Sequence, residues 1–505
     1  MTTRSRAVTL TVLAAALAFR LVLAVGYPND EPDDSAFYEL AARNVLLHGV
    51  YSGDEAPPIG PTYVRVPGYS FFIAGVYGLF GVNNTTAIRV AQAVVETAGC
   101  WFVSLLALAL APRDWLPRQK RRVQVAALLL AAACPFTAVY VTTVLTEALA
   151  LALGTVMAWC AARAVADGHE PAGKAPWRGR RWWLGAGLAG GALTLVRPEG
   201  AVVMAGIGLA LVIITGWRLR RAGVGLGRAA VRVAAAGAML TLGFLVFDGS
   251  WTLRNALVFG DFQPLNPRSL SMPGGYQFTG YNQWLRTWLN DPKYIGPFFF
   301  DLDRARISID QLPNEAIGSS QERTIVSGLF ALYNDGMPAP TATPPASDRP
   351  PAGLTPDLDQ RFGLLARERI ARYPIRYYVV LPVERLIGIW AGPHAQYYPF
   401  DGDLLPLTDL DTRTNQHNWL PLCALLVLLW TLFGVAGGAA MLAHPSARAA
   451  LLLLLLVNLP RLALVGSMEN PEPRYTVELF PFLSALGGVA MGWLWPQRNN
   501  SAADA

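Results

Sequence analysis

Three observations predict that this sequence forms an all-α polytopic membrane protein. The 505-residue chain is 53% hydrophobic and only 15% charged, with a mean hydropathy of +0.33, which is too apolar for an ordinary soluble protein. Apolar runs of about 20 residues, long enough to cross the hydrocarbon core of a bilayer, recur along it. Basic loops alternate with acidic loops, as the positive-inside rule requires. Because backbone polar groups in lipid must be satisfied within one segment, the apolar runs are expected to be helices.

The apolar runs predict about ten membrane spans with both termini in the cytoplasm. The first run follows Arg4 and Arg6 and lacks a clear small-residue cleavage site, so we interpret it as a span rather than a signal peptide. Arg20 interrupts this run, and it either snorkels to the interface or meets an acid inside the bundle. The predicted spans are residues 7–26, 86–111, 123–143, 148–162, 182–196, 201–216, 233–251, 419–442, 449–465 and 477–495.

The remaining segments are predicted to lie at or outside the membrane surface. Residues 70–81 are apolar but too short for a span, which favours an interfacial helix. Residues 364–390 are amphipathic and predict interfacial helices on the bundle, with a further span as the alternative. The expected organisation is an N-terminal transmembrane core (1–252) with an outer acidic loop (27–69), an external α-rich region (253–418), C-terminal transmembrane helices (419–495) and a cytoplasmic tail (496–505).

Composition and spacing exclude several functions. The net charge of +6 comes from basic residues clustered in the predicted cytoplasmic loops, so no nucleic-acid partner is expected. The four cysteines lie inside apolar runs and show neither a disulfide framework nor zinc spacing. The five histidines are scattered, without a pair at i and i+4. No metal site is therefore assigned from these residues. No internal repeat supports an inverted-repeat transporter.

The outer loop at residues 27–69 contains seven acidic and two basic residues. Pro32 suits the first turn of a helix, and Asp33 and Asp34 would favour the positive end of its dipole. A carboxylate held at this place beside lipid suits proton abstraction from a hydroxyl, which makes Asp34 a candidate general base. The chemistry alone gives equal weight to an alternative, in which both acids are solvated and only stabilise the N-terminus of the helix.

Arginines at the outer ends of several spans are candidate phosphate ligands: Arg65, Arg197, Arg254 and Arg474. Taken singly, each is better explained as an interface arginine that snorkels or contacts lipid headgroups. Taken together, on the same face as Asp34, they predict a lipid-linked phosphate substrate, with the base activating an acceptor hydroxyl and the arginines stabilising the departing phosphate. Glu147, at the next outer turn, could meet Arg20 or Arg65, or be a solvated carboxylate.

These motifs, in this order, resemble the GT-C membrane glycosyltransferases, in the branch that includes the protein O-mannosyltransferases and the aminoarabinose transferase of lipid A. The resemblance covers residues 7–495 except the external region. Its motifs are Asp34-Ser35-Ala36-Phe37-Tyr38, the run 41–46 with Gly49, Arg65-Val66-Pro67-Gly68-Tyr69, Thr146-Glu147, residues 251–255 with Phe259-Gly260, and Glu472-Pro473-Arg474-Tyr475 with Pro481. In departures from the family pattern, Ser35 replaces an acid and Arg65 stands where lysine is common. Val64 stands where some relatives have an acid, which leaves a divalent cation open.

The resemblance implies a GT-C-like bundle and an inverting transfer of a hexose or pentose. The donor would be a polyprenyl-phosphate sugar and the acceptor a hydroxyl of a cell-envelope glycan, lipid or protein, at the outer face of the plasma or inner membrane. Asp34 would be the base. Substrate contacts would come from Asp33, Tyr38, Arg65, Glu147, Arg197, Arg254, Arg474 and Tyr475. The competing interpretations are a lipid or solute transporter or flippase, and a non-catalytic membrane assembly protein, which leaves the acidic loop unexplained.

Overall fold

The computed structural model describes residues 3–29, 32–167, 178–267, 278–302, 304–337, 353–392, 394, 397–398, 416–470 and 472–494. Within these ranges the regular structure is entirely helical, which confirms the predicted all-α fold class. The α-helices are α1 (Thr3–Gly26), α2 (Pro32–His48), α3 (Gly68–Phe80), α4 (Thr85–Leu110), α5 (Pro117–Ala132), α6 (Pro135–Ala138), α7 (Glu147–Asp167), α8 (Arg178–Val196), α9 (Gly200–Ala210), α10 (Gly216–Arg221), α11 (Leu226–Phe259), α12 (Thr279–Arg286), α13 (Ser320–Gly336), α14 (Pro356–Arg372), α15 (Leu381–Ala391), α16 (Gln416–Ala443), α17 (Arg448–Gly466) and α18 (Phe480–Leu494). Short 3₁₀ segments cover Val139–Val141, Pro292–Tyr294, Ile309–Gln311, Asn314–Ala316 and Pro473–Leu479, and π-helical turns cover Leu211–Thr215, Gly296–Phe300 and Arg376–Val380.

The predicted spans fall on helical segments, although the one predicted at 123–143 is bent by 52° between Ala132 and Pro135, and the chain is an integral multi-pass membrane protein. Among the described residues, eight helical segments are long and apolar enough to cross a membrane. The bent pair Pro117–Ala132 and Pro135–Val141 makes a ninth if it is one span. The tenth predicted span is α8, whose hydropathy is lowered by arginines in its first turn. It packs between α7 and α11 inside the bundle. Residues 70–81, predicted to be interfacial, belong to the short apolar helix α3.

Arg20 is buried inside the bundle, so of its two predicted positions the interior one is observed. Its guanidinium pairs with Glu96 on α4. It also donates hydrogen bonds to the carbonyl oxygens of Ala131 at 3.2 Å and Ala132 at 3.0 Å, where α5 ends. One side chain therefore joins α1 to two other helices.

The arginine-rich loops meet at one end of the bundle. The guanidinium of Arg113, after α4, donates to the carbonyl of Ala166 near the end of α7. Arg218, on α10, donates to the neighbouring Val165 carbonyl at 2.5 Å. Since α7 begins with Glu147, that carboxylate lies at the opposite end, where the acidic outer segments are found. The charge asymmetry of the sequence is thus preserved in space.

The external region has a hydrophobic core of its own. Aromatic side chains of α12, α13, α14 and the connecting turns fill it, including Trp284, Trp288, Phe330 and Phe362. The predicted boundary after Thr252 falls inside the continuous helix α11, and the division into domains remains a prediction.

The external region is fixed to the C-terminal end of α17 by Arg385 on α15. This buried guanidinium donates to the carbonyls of Leu289 at 2.6 Å, Arg286 at 2.5 Å and Gly466 at 3.2 Å. The amphipathic stretch predicted at 364–390 forms the end of α14, the π-turn Arg376–Val380 and α15. Among the described residues, this stretch is not one of the candidate spans, so the further-span alternative finds no support.

Candidate active site

Asp34 lies at the start of α2, which hydrogen bonds fix against the turn before α7. The backbone N–H of Asn29 donates to the Thr142 carbonyl at 2.9 Å, and the Ser35 hydroxyl donates to the Val144 carbonyl at 2.9 Å. Ser35, where the family pattern has an acid, thus serves as an anchor. The side chain of Asp33, predicted to contact substrate, lies outside the described residues.

The Asp34 carboxylate bridges two arginines that are distant in sequence. Arg65 Nη1 lies 2.7 Å from Asp34 Oδ1, and Arg474 Nη1 lies 3.2 Å from Oδ2. The Asp34 side chain is 32% exposed, whereas those of Arg65 and Arg474 are 9% and 17% exposed. The carboxylate is therefore the accessible member of the group, backed by two largely buried cations.

Aromatic packing and a close backbone contact hold Arg65 in place. Its guanidinium lies over the rings of Phe37 at 5.1 Å and Tyr38 at 5.3 Å, and its carbonyl accepts a hydrogen bond from the Tyr51 hydroxyl at 3.1 Å. Gly68 packs so tightly on α8 that an added Cβ would lie 2.5 Å from the Leu195 carbonyl oxygen. Only glycine allows the Arg65 segment to approach this closely. Burial raises the pKa of the Tyr38 hydroxyl, which therefore stays neutral.

Arg474 is oriented by Glu472 and Tyr397, to which the sequence assigned no role, and by the predicted site residue Tyr475. Glu472 Oε2 lies 2.7 Å from Arg474 Nε, and the Tyr397 hydroxyl lies 3.5 Å from Nη1. The Tyr475 ring lies 5.4 Å from the guanidinium carbon, and its hydroxyl donates to Glu472 at 3.3 Å. Glu472 stands two residues before Arg474 in the motif, which was a usable signal. Tyr397 had no such signal, since it comes from a distant part of the chain.

The two carboxyl groups at this site are shifted in opposite directions. Burial acts to raise the pKa of Asp34, but the charges of Arg65 and Arg474 together outweigh it and hold the pKa below its ordinary 3.8. For Glu472, burial outweighs the charge of Arg474 and raises the pKa above its ordinary 4.5. Asp34 is thus firmly ionised at neutral pH and available as a proton acceptor.

Arg197 and Glu147 belong to a second, more deeply buried charge network. Arg197 contacts Glu147 at 2.8 Å, Glu199 at 2.6 Å and Glu478 at 3.2 Å. Arg461, on α17, lies 3.7 Å from Glu199 and pairs with Glu478. Burial acts to raise the pKa of Glu199, but both arginines outweigh it and lower the pKa to about 2. Glu147 therefore pairs with Arg197 and with neither predicted partner.

This buried network supports the segment that carries Arg474. Glu478 lies on the 3₁₀ segment Pro473–Leu479 together with Arg474, and the Tyr475 ring lies 6.0 Å from the guanidinium of Arg197. The network connects α7, the corner between α8 and α9, α17 and this segment. Arg461 and Glu478 were missed because each lies inside an apolar run, although a charge in a span is itself a signal.

Arg254 does not join Asp34 in the structure. Its Nη1 donates to the Thr62 carbonyl at 2.8 Å, and its guanidinium lies 4.9 Å from the Trp251 ring and 5.1 Å from the Phe259 ring. It thereby joins α11 to the outer loop three residues before Arg65. A direct contact of Arg254 with phosphate remains a prediction.

The residues around Asp34 do not suit a metal ion. In the part of the chain that the structure describes, no group of three or more His, Cys, Asp or Glu side chains is arranged to hold a metal. The Asp34 oxygens face two guanidinium groups, which would repel a cation bound there. Among the residues that the structure describes, the divalent cation that the resemblance left open thus has no ligand set at this carboxylate.

A family comparison supports the predicted resemblance. Residues 61–236, about a third of the chain, match the model of a family described as dolichyl-phosphate-mannose-protein mannosyltransferase. This match confirms the resemblance to the mannosyltransferase branch of the GT-C glycosyltransferases. The matched segment contains Arg65, Glu147 and Arg197, while Asp34 and Arg474 lie outside it. No curated protein sequence matches the chain significantly.

Several solved structures share a distant likeness with this chain. ArnT from Cupriavidus metallidurans bound to undecaprenyl phosphate is 16% identical, with 96% of this chain and 77% of that chain covered and a TM-score of 0.40. AglB from Archaeoglobus fulgidus, in complex with an inhibitory peptide and a dolichol-phosphate, is 15% identical, with 97% and 50% covered and a TM-score of 0.46. The arabinosyltransferase EmbB from Mycobacterium smegmatis is 14% identical, with 98% and 42% covered and a TM-score of 0.34. The chain thus spans half the length of AglB and less than half of EmbB.

Proposed function

We propose that this protein is a GT-C-type glycosyltransferase that moves a sugar from a polyprenyl-phosphate donor to a hydroxyl acceptor of the cell envelope. The observation that carries the proposal is the Asp34 carboxylate held between Arg65 and Arg474. Two guanidinium groups suit the phosphate of the donor, and an accessible carboxylate beside them suits the proton of an acceptor hydroxyl.

In the proposed reaction, the acceptor oxygen bonds to the anomeric carbon of the sugar while the bond from that carbon to the phosphate oxygen breaks. Asp34 accepts the hydroxyl proton. Polyprenyl phosphate leaves with one more negative charge, which Arg65 and Arg474 stabilise. A single displacement of this kind inverts the configuration at the anomeric carbon. The transferred sugar is a hexose or a pentose.

Donor binding would also prepare the base. Without ligand, both arginines are engaged by Asp34, and its lowered pKa makes it a weak base. A phosphate bound to either guanidinium competes with the carboxylate for that cation and adds a negative charge nearby. Both effects raise the proton affinity of Asp34. The base would thus gain strength only after the donor is in place.

The reaction would take place at the outer face of the plasma or inner membrane. The support is the separation of charge along the bundle: the arginine-rich loops meet near Val165 and Ala166, whereas Glu147 and the Asp34 group lie at the other end. Basic loops stay in the cytoplasm, which turns the Asp34 end outward.

The experiment that tests this function uses purified protein in detergent with radiolabelled polyprenyl-phosphate hexoses and pentoses. Envelope extract supplies the acceptor. We expect release of polyprenyl phosphate, transfer of label to the acceptor fraction, and loss of both in the Asp34→Asn variant. Donor that remains intact with every sugar tested would refute the proposal.

A further inference from the structure

The external region contains a cavity of about 440 Å³ that is separate from the Asp34 group. It lies between α13, the C-terminal half of α14 and the π-turn before α15, and Gln321, Ile325, Tyr373 and Arg376 are among its lining residues. Sites for small molecules typically have volumes of about 300–1,000 Å³. The cavity is thus large enough for a small polar ligand.

The charged groups at the floor of the cavity are paired with each other and hydrogen-bonded to the backbone. Arg369 pairs with Glu322 at 2.7 Å and also donates to the carbonyls of Ala316 at 2.7 Å and Glu315 at 2.8 Å. Glu322 accepts a further hydrogen bond from the Gly318 backbone at 2.6 Å. Because these groups already have partners, they shape the cavity without attracting a charged ligand.

The rim of the cavity carries polar groups that are free to bind. Among the described residues, the side chains of Gln321, Tyr373 and Arg376 have no hydrogen-bond or ion-pair partner. Ile325 is 43% exposed and Tyr373 is 55% exposed, so both offer apolar surface next to these groups. The complete lining contains three glutamates and three arginines, which gives no excess of either charge.

The cavity lies at the same end of the bundle as Asp34. Thr287 lines it, and the preceding residue, Arg286, lies 3.5 Å from Glu469 in the segment that leads to Arg474. The segment that begins at Ile375 and continues through the π-turn and α15 exposes an apolar row at i, i+4 spacing, formed by Ile375, Val379, Val383 and Ile387. A row of this kind suits the membrane interface. The cavity therefore belongs to the outer, membrane-proximal part of the protein.

From these features we propose that the cavity binds a neutral carbohydrate segment of the acceptor, away from the hydroxyl that reacts. A sugar ring offers an apolar C–H face to Tyr373 and Ile325, and hydroxyls to Gln321 and Arg376. The balanced charge of the lining favours a neutral sugar over an anion. The assignment to the acceptor rests on the proposed glycosyltransferase function. The carbohydrate preference of the cavity stands on its own contacts.

The test is saturation-transfer NMR on the full-length protein in a detergent without a sugar headgroup. The probes are mannobiose, arabinobiose and inorganic phosphate. We expect at least one disaccharide to bind, and the double variant Tyr373→Ala, Arg376→Gln to weaken its binding by at least about tenfold, since a hydrogen bond and a ring contact are lost. Arg323→Gln is the matched control: Arg323 lies on α13, pairs with Asp310 in solvent and is not part of the lining. Asp34→Asn should bind the disaccharide like the wild type.

The outcomes separate this inference from the proposed function. Unchanged disaccharide binding in the double variant, no binding of either disaccharide, or displacement of the sugar by equimolar phosphate would overturn the carbohydrate site. If the wild type binds the disaccharide in this cavity but never releases polyprenyl phosphate, the proposed function fails while the carbohydrate site stands. If lipid phosphate is released and the double variant raises the KM for the acceptor without changing kcat, the assignment to the acceptor is supported.

Discussion

Replacing Asp34 with asparagine removes the proposed base while keeping its shape. The side-chain oxygen of the introduced asparagine can still accept the hydrogen bond that Arg65 donates at 2.7 Å, so we expect the variant to fold and insert normally. General-base catalysis contributes about 10²–10⁴-fold to rate. Turnover should therefore fall by at least about 10²-fold, to a rate set by uncatalysed deprotonation of the acceptor.

Donor affinity should change in the opposite direction. Asp34 competes with the donor phosphate for Arg65 and Arg474, and its own charge repels the phosphate. For two unit charges about 5 Å apart, this repulsion is roughly 0.8 kcal/mol at the dielectric constant of water and roughly 3 kcal/mol at an effective value of 20. The Asp34 side chain is 32% exposed, which favours the lower figure. We therefore expect Asp34→Asn to bind polyprenyl phosphate equally well or several-fold more tightly.

Single-turnover release of radiolabelled lipid phosphate measures the chemical step, and equilibrium binding of polyprenyl phosphate measures affinity. Asp33→Asn is the control, and it should be milder because Asp33 is assigned to the helix dipole. A dead Asp33→Asn beside an active Asp34→Asn would move the base by one residue. Full activity in both variants would refute the carboxylate mechanism, and the transporter interpretation would then be preferred.

Further predictions concern the arginines. Arg474→Ala should weaken binding of the donor by about 2–5 kcal/mol, the cost of truncating one partner of a buried charge pair. Arg474→Lys should restore binding only partly, because lysine lacks the bidentate fork of arginine. The KM for the donor measures both effects. In the wild type, the acid limb of kcat/KM should have its midpoint below the ordinary carboxyl pKa of 3.8, because the pKa of Asp34 is lowered, and in Arg474→Ala this midpoint should move to higher pH. Arg197→Ala should lower the free energy of unfolding by about 3–5 kcal/mol, because it leaves buried carboxylates without their cationic partner. A reduced melting temperature would show this loss. Arg254→Ala should cost about 1–3 kcal/mol of stability through lost ring and carbonyl contacts, and a raised donor KM in the same variant would support the predicted phosphate contact.

The membrane spans could be predicted from sequence because hydropathy and loop charge are local properties of the chain. The same reasoning placed Asp34, Arg65 and Arg474 on one face, and the structure brings these three side chains into contact. Their catalytic and binding roles remain predictions. The order of the motifs was informative because each stands near the end of a helix, and the fold brings the Asp34, Arg65 and Arg474 motifs together, although not Arg254.

Partner choice inside the bundle could not be predicted from sequence. Glu147 was expected to meet Arg20 or Arg65, yet Arg20 pairs with Glu96, and Glu147 pairs with Arg197. Each choice depends on which helix faces which, and hydropathy contains no information on helix neighbours. The cavity of the external region was equally inaccessible, since its lining comes from separate helices and turns that only tertiary packing brings together.

The buried contact between Arg20 and Glu96 has a consequence for biogenesis. During synthesis α1 leaves the ribosome long before α4, so Arg20 enters the translocon without its acid. An unpaired arginine at the centre of a span costs about 2.5–3.5 kcal/mol on the insertion scale, and Arg20, which lies closer to the end of α1, should cost somewhat less. The first helix should therefore remain incompletely inserted, or stay next to the translocon, until α4 is synthesised and Glu96 pairs with Arg20. Replacing Glu96 would then show its earliest effect as delayed integration of the nascent chain, before any folded protein exists.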